Sequence, residues 1–340
     1  MNKVIRIGTR ESQLAVWQAK QVKSLLQDAG IESGLVYIKS EGDVDLKTPL
    51  YEMGVQGIFT RSLDIALLNN KIDIAVHSMK DVPTQLPAGI RQAAVLKRGN
   101  YKDIFVPRPN LYDFDTPFRV VEISTIGTRS KNKDIRLDIP LQKHPDNPEI
   151  PENIVIATSS VRRIAQWLNK YPNHKIENLR GNVNTRLNKL RESKWHGAIF
   201  AAAGLERIGL RPQNSVELDW MLPAPAQGAI MVVCREDDQF VFDACKNYND
   251  DDTALATKIE RDFLKVLMGG CSTPISALAE VKRKYVYFKG NILSIDGKEK
   301  ADIDFTIKRE DADNLGKLAA EAILSHKGRE IIEKIRNAGK

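Results

Sequence analysis

A short apolar run, Val4–Ile7, stops at Gly8-Thr9-Arg10, and a helical pattern starts directly behind it. Leu14, Ala15, Gln18, Val22, Leu25, Leu26 and Ala29 recur at the spacing of one helix face until Gly30 ends the pattern. A second strand-like run follows at Leu35–Ile38. Thr60 can cap a helix carrying Leu63, Ala66 and Leu67, and Ile72–Val76 reads as a buried strand. Strand–helix–strand order with short connections predicts a mostly parallel sheet covered by helices. The unit restarts after Pro151. Ile154–Ile156 is strand-like, Ala157-Thr158-Ser159-Ser160 a turn, Val161–Leu168 and Val183–Arg191 helices, and Ala198–Ala201 another strand. The chain therefore holds two α/β units, each with a Thr/Ser/Arg turn where a strand meets a helix.

At 340 residues the chain has room for two or three domains. Its last ninety residues change character: Thr253–Leu267 is helical, Ile275–Val281, Val286–Lys289 and Ile303–Ile307 are strand-like, and helices start near Ala312 and Arg329. That order predicts a small α+β domain on an antiparallel sheet. Pro107–Pro151 is rich in Pro, Asp and Asn, and its latter part, about 122–151, reads as a surface insertion. Within it Ile126-Gly127-Thr128-Arg129 repeats Ile7-Gly8-Thr9-Arg10 without an amphipathic helix behind it, and is read as coincidence.

The net charge of +7 is concentrated: residues 151–200 hold nine basic and three acidic side chains. One basic patch without a polybasic tail argues for a focused anion site rather than a nucleic-acid coat. Three cysteines, Cys234, Cys245 and Cys271, form neither CxxC pairs nor histidine clusters, so a disulfide framework and a metal site are not expected. The N-terminus turns polar too early for a signal peptide, and the longest apolar stretch, near Ala198–Leu205, is too short to cross a bilayer. A cytoplasmic protein with no membrane partner is the expectation, monomeric because no large apolar stripe stands out.

Arg162 and Arg163 fall in the first turn of a helix, behind Thr158-Ser159-Ser160. Arginine there opposes the helix dipole, so a bound polyanion explains the pair better than helix stability does. Arg180 and Arg186 flank the next helix start, and guanidinium forks bind carboxylate or phosphate bidentately. Thr9, Arg10 and Ser12 form a weaker anion-binding turn in the first unit. Both turns lie at carboxyl ends of strands, where open α/β sheets place ligands. In Asp73–Thr84 a buried strand ends in His77-Ser78-Met79-Lys80-Asp81. Asp81 beside Lys80 could protonate or hold a nitrogen leaving group, and serves equally as a turn former before Val82-Pro83. His77 reads as a hydrogen-bonded strand-end residue. Gly269-Gly270-Cys271 exposes a thiol for covalent work, on spacing that is weak evidence alone.

Taken in order, these segments resemble the porphobilinogen deaminase (hydroxymethylbilane synthase) family. The resemblance is carried by Ile7–Arg10 with Ser12, Leu14, Ala15 and Gln18; Asp73–Pro83; Thr158–Arg163; Leu179–Leu187; Ala201–Leu205; Leu222–Ala224 with Gln227–Ala229; and Gly269–Cys271. It implies two similar periplasmic-binding-protein-like α/β domains with a cleft between them, residues 1–98 with 229–247 and 103–225. A third, α+β domain spans 250–340. It further implies a transferase that joins four porphobilinogen molecules head to tail with loss of ammonia, then releases hydroxymethylbilane. The primer would be a dipyrromethane cofactor held by thioether at Cys271. By the same matching, Asp81 is the catalytic carboxylate, and Lys80, Ser78, Thr158, Ser159, Ser160, Arg162 and Arg163 contact the cofactor. Arg10, Ser12, Gln18, Arg162, Arg180 and Arg186 contact the substrate.

The chain departs from the family pattern at Gln56, Arg61-Ser62, Tyr101-Lys102-Asp103, Ala157 and Pro225-Ala226. The last of these bears on the stiffness of the hinge. The rival reading is a non-catalytic two-domain protein that binds a small polycarboxylate, against which Asp81 and Cys271 speak.

Overall fold

The protein is seen here as a computed structural model that describes residues 3–39, 60–109, 154–267 and 273–338, with the backbone of 119–123 and 134–138. Cys271, Gln56 and the Ile126–Arg129 echo lie outside those residues, as does most of the expected insertion. The first unit opens with β1 (Ile5–Thr9), α1 (Gln13–Asp28), β2 (Ser33–Tyr37), α2 (Arg61–Leu68), β3 (Ile74–Ser78) and β4 (Ile90–Leu96). Then come β5 (Asp103–Pro107), β6 (Arg119–Ile123), β7 (Asp134–Asp138), β8 (Val155–Ala157), α3 (Val161–Lys170) and β9 (Lys175–Glu177). They are followed by α4 (Val183–Glu192), β10 (Gly197–Ala201), α5 (Ala202–Glu206) and β11 (Val216–Glu217). The chain returns through β12 (Ile230–Arg235) and α6 (Gln239–Lys246). It ends with α7 (Asp251–Val266), β13 (Ile275–Lys282), β14 (Tyr285–Leu293), β15 (Lys300–Lys308), α8 (Leu315–Leu324) and α9 (Gly328–Ala338).

Two five-stranded sheets share one plan. The first runs β2-β1-β3-β12-β4 and the second β9-β8-β10-β5-β11. In each, four strands point one way and one, β12 or β5, runs against both its neighbours. The expected mostly parallel sheets are thus present, each with a strand supplied by a chain crossing between units. β1–α1–β2 matches β8–α3–β9 in position, so the two Thr/Ser/Arg turns occupy equivalent places. A two-stranded antiparallel pair, β6 with β7, aligns Arg119 with Asp138 through Ile123 with Asp134; β7 and the end of β6 fall in the stretch 122–151 read as an insertion, and the rest of β6 precedes it.

Apolar side chains fill both faces of the first sheet. Ala19, Val22 and Leu26 of α1 pack with Ile5, Ile7, Ile74 and Cys234 on one side. Leu63 and Leu67 of α2 pack with Ala75, Met231 and Val233 on the other. In the second unit Trp167 of α3 meets Phe105, Ile156 and Ile199, while Leu187 and Leu190 of α4 cover Val106 and Ala198. The last ninety residues form the expected antiparallel sheet, β13-β14-β15, with Ile259 and Phe263 of α7 and Ala319 and Ile323 of α8 against one face. Burying an aliphatic side chain of this size contributes about 1.5–3 kcal/mol, which is why these faces fix the packing.

Two crossing segments join the α/β units, and the Gly99 amide donates to the Gly228 carbonyl at 3.0 Å. Gly228 has φ 87°, and a Cβ there would lie 2.9 Å from the Gly99 oxygen, so no larger residue fits. Ala226 has φ 61°, a left-handed conformation costly for a residue with a Cβ. Its amide donates at 2.6 Å to Glu260, a fully buried α7 carboxylate that also accepts from the Ala279 amide and pairs with Arg98 at 2.6 Å. The strained hinge is therefore tied to the third unit.

Candidate active site

The end of β3 leads into the turn that holds Lys80 and Asp81. Met79–Asp81 form one turn of 3-10 helix, closed by the Val82 amide on the Met79 carbonyl. From α7, Arg261 donates to the carbonyls of Val82 at 2.9 Å and Pro83 at 2.6 Å, pinning the turn from the third unit. Arg10, Gln18, Thr60, His77, Ser78 and Asp81 line one recess beside it. Asp81 is partly exposed and lies within electrostatic reach of Lys80, Arg163 and Arg186. Gln18 and Ser78, both expected ligand contacts, bond each other at 2.8 Å across the recess wall. His77 is buried, and burial with the Arg10 charge pushes its imidazole down to about 3. Among the described residues its Nε2 has no hydrogen-bond partner.

The facing wall comes from the second unit, and its arginines have a partner that their own helix turn does not reveal. Arg162 and Arg163 are buried, and the anion that holds them is Asp103 at the start of β5. Asp103 Oδ2 meets Arg162 Nη1 at 2.7 Å, and Oδ1 accepts from Arg163 Nη2 at 2.8 Å and Nε at 3.0 Å. Arg163 Nη1 donates to the Ile199 carbonyl and Arg162 Nη1 to that of Leu222, each at 2.8 Å. The helix-start arginines thus need no external polyanion to be explained. Burial alone would raise the Asp103 carboxyl, but the two guanidinium groups outweigh it and hold it below the usual carboxylate range.

The hydroxyls are largely engaged as well. Ser12 caps α1, accepting from the Ala15 amide at 3.4 Å. Ser159 donates to the Leu179 carbonyl and accepts from the Leu179 amide at 3.0 Å, and Thr158 accepts from the Ser160 amide. These expected contacts act first as local structure. Ser160, at the N-cap of α3, makes no cap bond. Arg180 is buried, and Arg186 Nε donates to the Gly181 carbonyl at 2.7 Å. Burial, then the Arg163 charge, lowers Arg186 to about 10, with Asp81 opposing.

Lys80 links the two walls. Its Nζ donates to Gln227 Oε1 at 3.2 Å, and burial pulls the ammonium down to about 8 against the attraction of Asp81. Among the described residues six cationic side chains (Arg10, Lys80, Arg162, Arg163, Arg180 and Arg186) therefore gather round two carboxylates, Asp81 and Asp103, the latter already committed. That excess fits a ligand bearing several carboxylates, such as a dipyrromethane. Asp103, Gln227 and Arg261 were missed as site residues. The signal for Gln227 was present in Gln227-Gly228-Ala229. Asp103 and Arg261 carried none, because each acts on residues far away in the chain. Among the described residues no three His, Cys, Asp or Glu side chains cluster to hold a metal ion.

Comparison with known proteins agrees with this chemistry. The profile "Porphobilinogen deaminase, dipyromethane cofactor binding domain" matches residues 5–145 and 115–243, and "Porphobilinogen deaminase, C-terminal domain" matches 254–325. The porphobilinogen deaminase of Syntrophomonas wolfei is 36% identical over 332 residues, covering 96% of this chain and 97% of the relative. That of Geobacter sulfurreducens is 36% identical over 335 residues, covering 97% and 94%. Among solved structures, the methionine binding protein MetQ is 14% identical at a TM-score of 0.39, covering 74% of this chain and 91% of that one. With profiles across both α/β units and the C-terminal unit, and relatives alike over nearly their whole length, the chain belongs to the porphobilinogen deaminase family, enzymes of the transferase class.

Proposed function

We propose that this enzyme condenses four porphobilinogen molecules head to tail, releasing ammonia at each step and hydroxymethylbilane at the end, with Asp81 as the catalytic carboxylate. The observation that carries the reading is the contrast in the site: one partly exposed carboxylate, Asp81, stands within reach of Lys80, Arg163 and Arg186. Porphobilinogen carries two carboxylates, which the arginines and Lys80 hold and orient by charge-assisted hydrogen bonds. The aminomethyl group breaks away in its protonated form, so the electron pair of its carbon–nitrogen bond leaves with nitrogen as ammonia and positive charge spreads over the methylene and the pyrrole. The pyrrole carbon that then bonds to the methylene gives up its proton to restore the ring. Asp81 accepts hydrogen bonds from those nitrogens and stabilises that charge in a site from which water is partly excluded. The dipyrromethane, when bound, supplies the pyrrole carbon onto which the first unit is joined. Arg10, Gln18 and Ser78 shape the first wall, while Thr158, Ser159 and Ser160 set the second. Arg162, Arg163, Arg180 and Arg186 supply its charge.

The same reading places the cofactor's thioether at Cys271 and divides the chain at 1–98 with 229–247, 103–225 and 250–340, as the three sheets suggest. It also has the protein act as a cytoplasmic monomer. Among the described residues no helix is long and apolar enough to cross a membrane. Intact-mass measurement of the purified chain tests it: a dipyrromethane adduct is expected, absent from Cys271→Ala, together with ammonia release from porphobilinogen. An unmodified mass and no turnover would overturn the assignment.

A further inference from the structure

Gln227 enters the site from neither wall. It lies on the returning crossing segment, 1% exposed, between Ala226 at φ 61° and Gly228 at φ 87°. Its amide reads different partners at its two ends. Oε1 accepts from Lys80 Nζ at 3.2 Å; Nε2 donates to Asp103 Oδ1 at 2.9 Å and to the Tyr101 carbonyl at 2.8 Å. The orientation follows from the chemistry, since an ammonium can only donate and both Nε2 partners only accept. Lys80 belongs to the first unit and Asp103 to the second, so one neutral side chain separates a cation from a buried anion across the hinge.

We infer that Gln227 is a positioning residue for Lys80: the amide holds the ammonium out of an ion pair with Asp103 and so leaves it for an incoming carboxylate. Asp103 meanwhile stays with Arg162 and Arg163. A carboxylate at 227 would capture Lys80 and repel Asp103; an apolar side chain of equal length would keep the spacing and remove the acceptor. The charged groups facing Lys80 are Asp81, Asp103, Arg162 and Arg163, so its protonation reports on this arrangement. The role rests on the proposed use of Lys80 as a carboxylate contact.

The test is the rate at which a small acylating ester labels Lys80, followed by peptide mass spectrometry against pH, in the full-length chain and in Gln227→Glu and Gln227→Met. Labelling follows the uncharged amine. Gln227→Glu should raise the midpoint by about one unit, slowing labelling about tenfold below it, and Gln227→Met should lower it. With porphobilinogen, KM should rise in both variants more than kcat falls. Unchanged midpoints would overturn the inference. So would midpoints that both move to about 10.4, the value of an unperturbed lysine, since that marks lost packing rather than lost positioning. Labelling uses no porphobilinogen, so a chain that fails to turn it over removes the proposed function and leaves the coupling to be decided separately.

Discussion

Asp81 and Asp103 stand on facing walls of one site, each among arginines, and differ in what surrounds them. Asp103 is fully buried, and both its oxygens are taken by Arg162, Arg163 and Gln227. Asp81 is partly exposed at the tip of a 3-10 turn and shares a recess with Arg10, Gln18 and His77. The second wall is a prebuilt electrostatic scaffold whose guanidinium groups are oriented before any ligand arrives. The first keeps a carboxylate that, among the described residues, has no ion-pair partner at contact distance. In a site of low dielectric, that difference separates a committed structural anion from the carboxylate to which the proposed function gives the chemistry.

Asp81→Ala probes the reactive side and carries the largest expected effect. Ammonia release from porphobilinogen should fall by about 10²–10⁴-fold, the span of a lost acid–base group, with stability within about 0.5 kcal/mol of the parent. Normal turnover would erase the distinction between the two carboxylates. Asp103→Ala probes the scaffold and should cost about 3–5 kcal/mol in urea unfolding, because two buried guanidinium groups lose their anion. The Asp103 carboxyl titrates lower folded than unfolded, where its value is about 3.9. Its stabilisation is therefore complete above that pH and lost as pH falls through the folded value. An acid unfolding profile of the variant should lack that loss, and an unchanged profile would show that the clamp contributes nothing.

Smaller effects sharpen the comparison at the equivalent turns. Ser12→Ala removes a working cap from α1 and should cost about 1 kcal/mol, whereas Ser160→Ala, where no cap bond exists, should leave unfolding unchanged and raise KM. Equal losses in thermal melts would mean the two turns are built alike. Ala226→Gly, at the hinge between the walls, should stabilise by about 1 kcal/mol or less, since glycine adopts φ 61° without a steric cost. Destabilisation in the same melts would place the strain elsewhere.

The alternation of strands and helices was legible because hydrophobic period is local. Val183–Arg191, Thr253–Leu267 and Ile275–Val281 each lie within a few residues of α4, α7 and β13. The direction and order of the strands were not legible: β12, far along the chain, inserts between β3 and β4, while β5 runs against its neighbours before the second unit has begun its own helices. The residues proposed to act, Asp81, Lys80 and the arginines, could be picked out from the sequence because they cluster in short motifs. The site was not legible in the groups that hold them. Arg261 lies 179 residues from the Val82 carbonyl it secures, and Gln227 lies 147 from Lys80.

The amino-acid sequence alone determined two α/β units with a small third one, the Thr/Ser/Arg turns at their strand ends, and membership of a family through its motifs. Only the tertiary structure decided which anion each arginine meets. Arg162 and Arg163 point to an absent polyanion when read in their own helix turn, and to Asp103 once β5 lies beside β10 with Asp103 paired to Ala201. The physical reason is reach. Periodicity and capping act over a few residues, whereas an ion pair acts over a few ångströms, and sheet order sets which distant residues come that close.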